Sequence, residues 1–177
     1  MTISLAIDTA TSRTTVGIIE DGTVLFEKFH EGATDHGRAL SDLVAQALKV
    51  AKPPHQIVVG MGPGPFTGLR VGIAFAHTFA LARRIPVIGV CSLDAIEIDK
   101  SEYTVAIDAR RKEIYWATYK DGVRVKGPEV SKPAEVSDFI IDQFPSVLKL
   151  VALAENQNIT EPMYLRRPDA VPTAERS

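Results

Sequence analysis

The 177-residue sequence has one cysteine, Cys91, so no intramolecular disulfide can form and nothing in the chain calls for an oxidising compartment. Cys91 lies in the apolar run 86–91, where a small core residue is expected rather than a nucleophile. Neither sign of charge is in excess. The net charge of −2 gives no global pull toward nucleic acid or an anionic membrane, so any RNA contact must be local. Long hydrophobic runs are missing too: the longest, 71–82, is interrupted by His77 and Thr78 and is too short to span a bilayer. Residues 1–8 lack the basic start and apolar stretch of a signal peptide, and the expectation is a cytoplasmic protein with no membrane association. The histidines His30, His36, His55 and His77 include no pair four residues apart, so a metal pair on one helix face is absent. No serine or cysteine can be matched with a base and an orienting third group. The length allows one well-buried domain, divided on the sequence into lobes 1–100 and 101–177.

What the sequence does have is concentrated between Gly60 and Gly72. Gly60, Gly62, Gly64 and Gly68 alternate with Pro63 and Pro65, which breaks helix and strand alike and predicts a tight loop through Phe66. Thr67 is read as an N-cap and 68–83 as the helix behind it. Gly68, Gly72, Ala76 and Ala80 then fall four apart, one stripe of small side chains flanked by Leu69, Val71, Phe75 and Phe79. Two explanations of Gly72 stand side by side: close packing on the protein's own sheet, or a helix of another subunit lying along the stripe. Phosphate binding is not needed for either. The dinucleotide fingerprint would place glycine where Pro65 stands, and the P-loop would place lysine after Gly68, where Leu69 stands.

In chain order, strands are expected at 3–8, 14–20 and 23–30, with Asp21-Gly22 as the hairpin signal. A helix follows at 35–52, carrying Ala39, Leu40, Leu43 and Ala47 on its apolar face and His36 at its entrance, where a capping or solvated role is expected. Strands at 56–61 and 86–91 flank the central loop and helix. The pattern then restarts: Ala106-Ile107-Asp108 repeats Ala6-Ile7-Asp8, and Asp121-Gly122 repeats Asp21-Gly22, in one register. The second copy reads as strands at 103–108, 113–119 and 123–126, a helix at 133–144 and a strand at 148–153. The end of the chain is read as frayed. Short basic clusters at Arg83-Arg84, Arg110-Arg111-Lys112 and Arg166-Arg167 lie near Tyr115, Trp116 and Tyr164, and are expected to be solvated faces or partners for the chain's own acids, with at most weak RNA contact.

Two tandem βββαβα units, each with an acid ending its first strand, resemble the α/β actin-like ATPase fold of sugar kinases and Hsp70, here with a shortened second unit. That resemblance implies an Asp near magnesium, which Asp8 matches, and a glycine soon after it, where this chain has Ala10 and, in the second copy, Arg110. It also implies a late Gly-rich turn around adenosine, and no glycine follows Gly127. The reading is an incomplete ATP site with Asp8 held by backbone N–H groups. A small ATPase or sugar kinase using Asp8 is the alternative, and a metallopeptidase a distant third.

Three segments, GPGPFTGLRVG (62–72), DARRKEIYWA (108–117) and YLRRPDA (164–170), are together similar to the TsaB (YeaZ) family, whose members serve formation of tRNA N6-threonylcarbamoyladenosine. The motif positions are Asp108, Arg110, Arg111, Tyr115, Tyr164, Arg166 and Arg167. The resemblance implies a subunit without catalytic residues, metal or cofactor of its own, with nucleotide only at a composite interface. It implies pairing with a TsaD-type transferase, work with a TsaE-type ATPase, a homodimer when isolated, and tRNA contacted indirectly. It places the interface on the two N-terminal helices, through His36, Ala39, Leu40, Leu43, Ala47, Gly68, Leu69, Val71, Gly72, Phe75, Ala76, Phe79 and Ala80. Pro65 stands where the family has serine, and helices before YLRRPDA are missing.

Overall fold

The computed structural model describes residues 1–166. β1 (Ile3–Asp8), β2 (Arg13–Glu20) and β3 (Thr23–Glu31) form an antiparallel meander, with Asp21 and Gly22 at positive φ in the first tight hairpin turn. α1 (His36–Val50) leads to β4 (Gln56–Gly60), and α2 (Phe66–Arg83) leads to β5 (Val87–Val90). β4 and β5 run parallel to β1, giving a five-stranded sheet of order β3-β2-β1-β4-β5. α1 and α2 cover one face through Leu40, Leu43, Ala47, Leu69 and Ala76 on Leu5, Ile7, Val16 and Val59. This side holds the largest apolar cluster, and non-directional burial of these side chains anchors both helices.

The second copy repeats the start of that plan. β6 (Glu102–Asp108), β7 (Ile114–Lys120) and β8 (Val123–Ser131) form a second meander, with Asp121 and Gly122 at positive φ as in the first. The sheet order is β8-β7-β6-β9, the same as β3-β2-β1-β4 by position in each copy. The duplicated, actin-like ATPase arrangement that the sequence predicts is present.

Two expected elements are exchanged. Residues 133–144 do not make a helix: a single 3-10 turn at Pro133–Glu135 is followed by β9 (Phe139–Ile140), parallel to β6. Asp138 and Asp142 sit at φ 51° and 60°, outside helical geometry, and the Phe-Ile-Ile run between them has strand propensity. Residues 148–153, expected as a strand, belong to α3 (Val147–Leu153), where Ser146 Oγ accepts the Lys149 N–H as a cap. Leu, Lys and Ala are strong helix formers, and the run's apolarity alone did not separate helix from strand. α3 does not cover the second sheet. Val147 and Leu150 pack under Ala6, Ile19 and Val58 on the open face of the first sheet, so the chain crosses back from the second sheet to the first. Segment 157–163 then runs beside β5, with Ile159 N–H donating to Gly89 C=O.

The start of α2 also differs from expectation. Phe66 is its first residue, Pro65 occupies the cap position and accepts the Leu69 N–H, and Thr67 lies inside the helix without capping it. The small stripe is explained within the chain. Thr9 Oγ1 donates to Gly68 C=O at 2.8 Å and accepts the Gly72 N–H at 3.1 Å, a carbonyl and an amide that a helix ordinarily pairs with each other. A Cβ on Gly72 would overlap that hydroxyl.

Gly72→Ala is expected to lower stability in urea unfolding by about 1–3 kcal/mol, although alanine is the better helix former. In a Thr9→Ala background the same substitution should cost nothing or stabilise; an equal loss in both backgrounds would refute the hydroxyl insertion.

Candidate functional site

Asp8 ends β1 with a carboxylate that is 1% exposed. Oδ1 accepts the Ala10 N–H at 2.9 Å and Oδ2 accepts the Ser92 hydroxyl at 2.6 Å. Ser92 is held in turn by Gly62, whose N–H reaches Ser92 Oγ at 3.2 Å and whose C=O accepts the Ser92 N–H at 2.8 Å. Gly60 closes the last side, since any Cβ there would occupy the space of Asp8 Oδ2. Burial raises this carboxyl from 3.8 to about 6, against the opposing pull of Ser92 and the Ala10 amide. The expected backbone partner is present. Ser92 was not anticipated, although its position just past β5, beside the end of β1, is where a parallel sheet collects strand-end groups.

Asp108 makes the same local turn, accepting the Arg110 N–H at 2.8 Å, yet its side chain is 58% exposed. The turn that follows is unusual: Arg110, Arg111 and Lys112 all have positive φ, at 62°, 55° and 62°. Non-glycine residues rarely adopt this geometry, and three in succession are costly unless the surroundings hold them. The turn is closed by Ala109 N–H to Glu113 C=O and Glu113 N–H to Arg110 C=O.

These two ends, the start of α1 and the start of α2 surround a cavity of about 730 Å³ that opens to solvent. All three sequence motifs meet there. The loop supplies Phe66, the second-copy turn Arg110 and Arg111, β7 Tyr115, and the late motif Tyr164 and Arg166. Tyr164 packs on Phe66 with ring centroids 5.0 Å apart, and Arg70 covers that ring at 4.8 Å. Arg166 pairs with Glu113 and donates to Ala109 C=O at 3.4 Å, which fastens the late segment to the β6–β7 turn. Arg110 lies 3.6 Å from Asp108. Arg167 lies outside the described residues, as does the expected fraying at the end of the chain. His36 forms part of the cavity wall but neither caps α1 nor stands in solvent: it is 5% exposed, with Nδ1 at 2.8 Å from Thr14 Oγ1. Burial, then repulsion from His30 and Arg110, lowers its pKa and favours the neutral ring.

The remaining sequence candidates are dispersed. His55 Nδ1 accepts the Ile3 N–H, and His77 is exposed on α2. Cys91 is fully buried, and burial pushes its thiol up to about 12. Among the described residues no three His, Cys, Asp or Glu side chains converge as a metal would need. No described helix is long and apolar enough to cross a membrane.

Most of the residues expected to meet a partner face the interior of their own chain. His36, Ala39, Leu40, Leu43, Ala47, Gly68, Leu69, Gly72, Ala76 and Ala80 are all buried within the chain, and only Val71, Phe75 and Phe79 stay half-exposed. Apolar periodicity marked the side of each helix that faces its own sheet. The uncovered side carries a different small-residue series: Gly37, Ser41 and Ala45 on α1, and Ala74 and Thr78 on α2, all exposed.

Residues 30–171 match the family model for TsaD, tRNA N6-adenosine threonylcarbamoyltransferase. An uncharacterised protein of Mycobacterium tuberculosis (strain H37Rv) is 41% identical over 96% of this chain and 94% of its own length. The Escherichia coli tRNA threonylcarbamoyladenosine biosynthesis protein TsaB is 35% identical over 66% of this chain. The matched region spans 54% of that E. coli protein and 57% of a Mycobacterium leprae relative. A crystal structure of a Pseudomonas aeruginosa protein with similarity to the peptidase YeaZ superimposes with a TM-score of 0.80, at 24% identity, covering 94% of this chain and all of that one, which establishes the shared fold.

The shift at Asp8 has a definite pH signature. A raised pKa means that the folded protein holds this proton more tightly than the unfolded chain does. The stabilisation is present in full below about pH 4 and is lost as pH rises through 6, about 3 kcal/mol in all. In urea unfolding, Asp8→Asn should therefore gain on the wild type by up to that amount between pH 4 and 7, whereas a constant difference would show that the carboxylate is solvated.

Proposed function

The chain belongs to the TsaB (YeaZ) family, and from that premise we propose that it serves tRNA N6-threonylcarbamoyladenosine formation as a non-catalytic subunit that binds and activates a TsaD-type transferase. The observation that carries the non-catalytic reading is the closure of Asp8. A kinase or ATPase of this fold would need that carboxylate facing magnesium and phosphate, but Ser92, the Ala10 amide and Gly60 occupy its surroundings. The chain then works in the cytoplasm with a TsaE-type ATPase, contributes no cofactor of its own, and meets nucleotide only where it and a partner share a surface.

The partner surface is the uncovered side of α1 and α2. Gly37, Ser41, Ala45, Ala74 and Thr78 leave backbone accessible, with half-buried Val71 and Phe75 supplying apolar area between the two helices. Small residues at four-residue spacing allow two helices to approach closely and interdigitate. The same face would serve a second copy when the transferase is missing, which accounts for a homodimer without a second interface.

Two measurements test this reading. Product formation on unmodified tRNA, with the transferase, the ATPase subunit and the adenylate present, should depend on this chain and be supported equally by Asp8→Asn; loss of support in that variant, or ATP turnover by the isolated chain, would return the function to an enzyme. Ser41→Arg and Ala74→Arg lie on exposed positions and should leave folding intact while weakening co-elution with the transferase at least tenfold; unchanged association would move the interface elsewhere.

A further inference from the structure

The 730 Å³ cavity is not needed for helix-to-helix association, and its chemistry is that of a binding site. Three arginines line it, and no Asp or Glu is among its described lining residues. Phe66 and Tyr164 are 41% and 39% exposed, so their rings present apolar surface at the opening rather than to a core. Arg110, with a side chain 55% exposed, projects from the left-handed turn, and Arg166 is fixed by Glu113 and Ala109. Costly backbone geometry kept in a basic turn at the mouth of a cavity has a purpose beyond chain reversal, since glycine would make the same turn without strain.

We propose that this cavity holds one unpaired nucleotide of an RNA strand, the base against Phe66 and Tyr164 and its phosphate at Arg110 and Arg166. Aromatic surface beside arginine is the combination that receives unstacked bases and their phosphates, because every base has a π-face and every linkage a negative charge. A paired base is held inside its stack and cannot enter. The net charge of −2 removes any broad electrostatic grip, so recognition is confined to this spot. Two basic clusters, far apart in sequence, supply Arg110, Arg111 and Arg166 here, and Arg110 and Arg166 partner the chain's own acids Asp108 and Glu113 as expected while lining the cavity. That the RNA is a tRNA loop rests on the proposed function; the cavity's preference for an unpaired nucleotide does not.

The test is fluorescence anisotropy of the full chain with a labelled RNA hairpin bearing an unpaired loop, a blunt duplex of the same stem, and 5′-AMP as competitor. The hairpin should bind and the duplex should not, with AMP competing only at far higher concentration. Tyr164→Ala and Arg110→Gln should each weaken hairpin binding at least about fivefold, and Arg110→Gln should also flatten the salt dependence by about one phosphate contact. Tyr164→Phe should bind as wild type, which separates the ring from a folding defect. The proposal is overturned if hairpin and duplex bind alike, if neither binds, if the variants match wild type, or if AMP binds as tightly as the hairpin. In the product-formation assay, wild type supporting product while Arg110→Gln and Tyr164→Ala do so equally well would reject the cavity and keep the subunit; no product with wild type would reject the subunit itself.

Discussion

The turn after β1 is gripped by glycines spaced four residues apart. Gly60 leaves room for the Asp8 carboxylate; a Cβ on Gly64 would come within 2.5 Å of Ala10 C=O; one on Gly68 would lie 2.9 Å from Thr9 C=O; and Gly72 leaves room for the Thr9 hydroxyl. Three consecutive residues, 8 to 10, are thereby held from the end of β4, through the loop, to the second turn of α2. The regular spacing follows from the helix, whose successive turns present the same side every four residues, and the loop before it continues the line. Each contact exchanges side-chain volume for backbone proximity, and the hydrogen bonds of Thr9 and Asp8 satisfy polar groups that burial would otherwise penalise.

That grip decides where α2 begins. With Gly68 and Gly72 drawn against Thr9, the first turn of the helix stands beside the β6–β7 turn, and Phe66 reaches Tyr164 of the late segment. The late segment is itself tied down at several points, by Ile159 to Gly89, Met163 to Met61, and Gln157 bridging the Cys91 amide and Asp94. Asp94 also accepts from Tyr119 and pairs with Arg124 of the second sheet. The cavity thus has walls from both sheets and from the end of the described chain, each positioned by contacts outside the cavity. Its geometry is preorganised by the fold and does not depend on a ligand to form.

The first unit was legible in the sequence because its signals agree. Alternation, Asp-Gly turns and amphipathic periodicity all indicate the same βββαβαβ order, and strand ends fell within a residue or two. Offsets of 100 residues exposed the duplication. What periodicity could not give was the direction of an apolar face: the stripe from Gly68 to Ala80 is equally compatible with a partner and with Thr9, and only the position of Thr9 decides between them. The exchange of helix and strand near the end has a similar cause. Residues 133–144 and 148–153 are both short, and local propensity there competes with pairing to β6 and burial under β1, neither of which is written in the segment itself. The cavity was invisible for the plainest reason, since Phe66, Arg110 and Tyr164 become neighbours only through long-range folding.

The two copies of the acid turn show how one plan has been put to two uses. Asp8 and Asp108 make the same hydrogen bond to the amide two residues on, at 2.9 and 2.8 Å. In the first copy a loop-helix segment carrying four glycines packs onto the turn, so the acid is sealed and burial raises its pKa. In the second copy a 3-10 turn and β9 stand where α1 and β4 do in the first, and the helix that follows, α3, packs on the first sheet instead of on this turn. Among the described residues no helix closes over Asp108, and the residues after it can be long and basic where the first copy requires Thr9 and Ala10. Without a covering helix among the described residues, the corner that is interior in the first copy is displayed in the second. The absence of such a helix from this turn is what lets it carry the cavity's arginine wall, since a glycine-bearing helix packed on it as on residues 8–10 would demand small residues at 109 and 110 and would exclude Arg110.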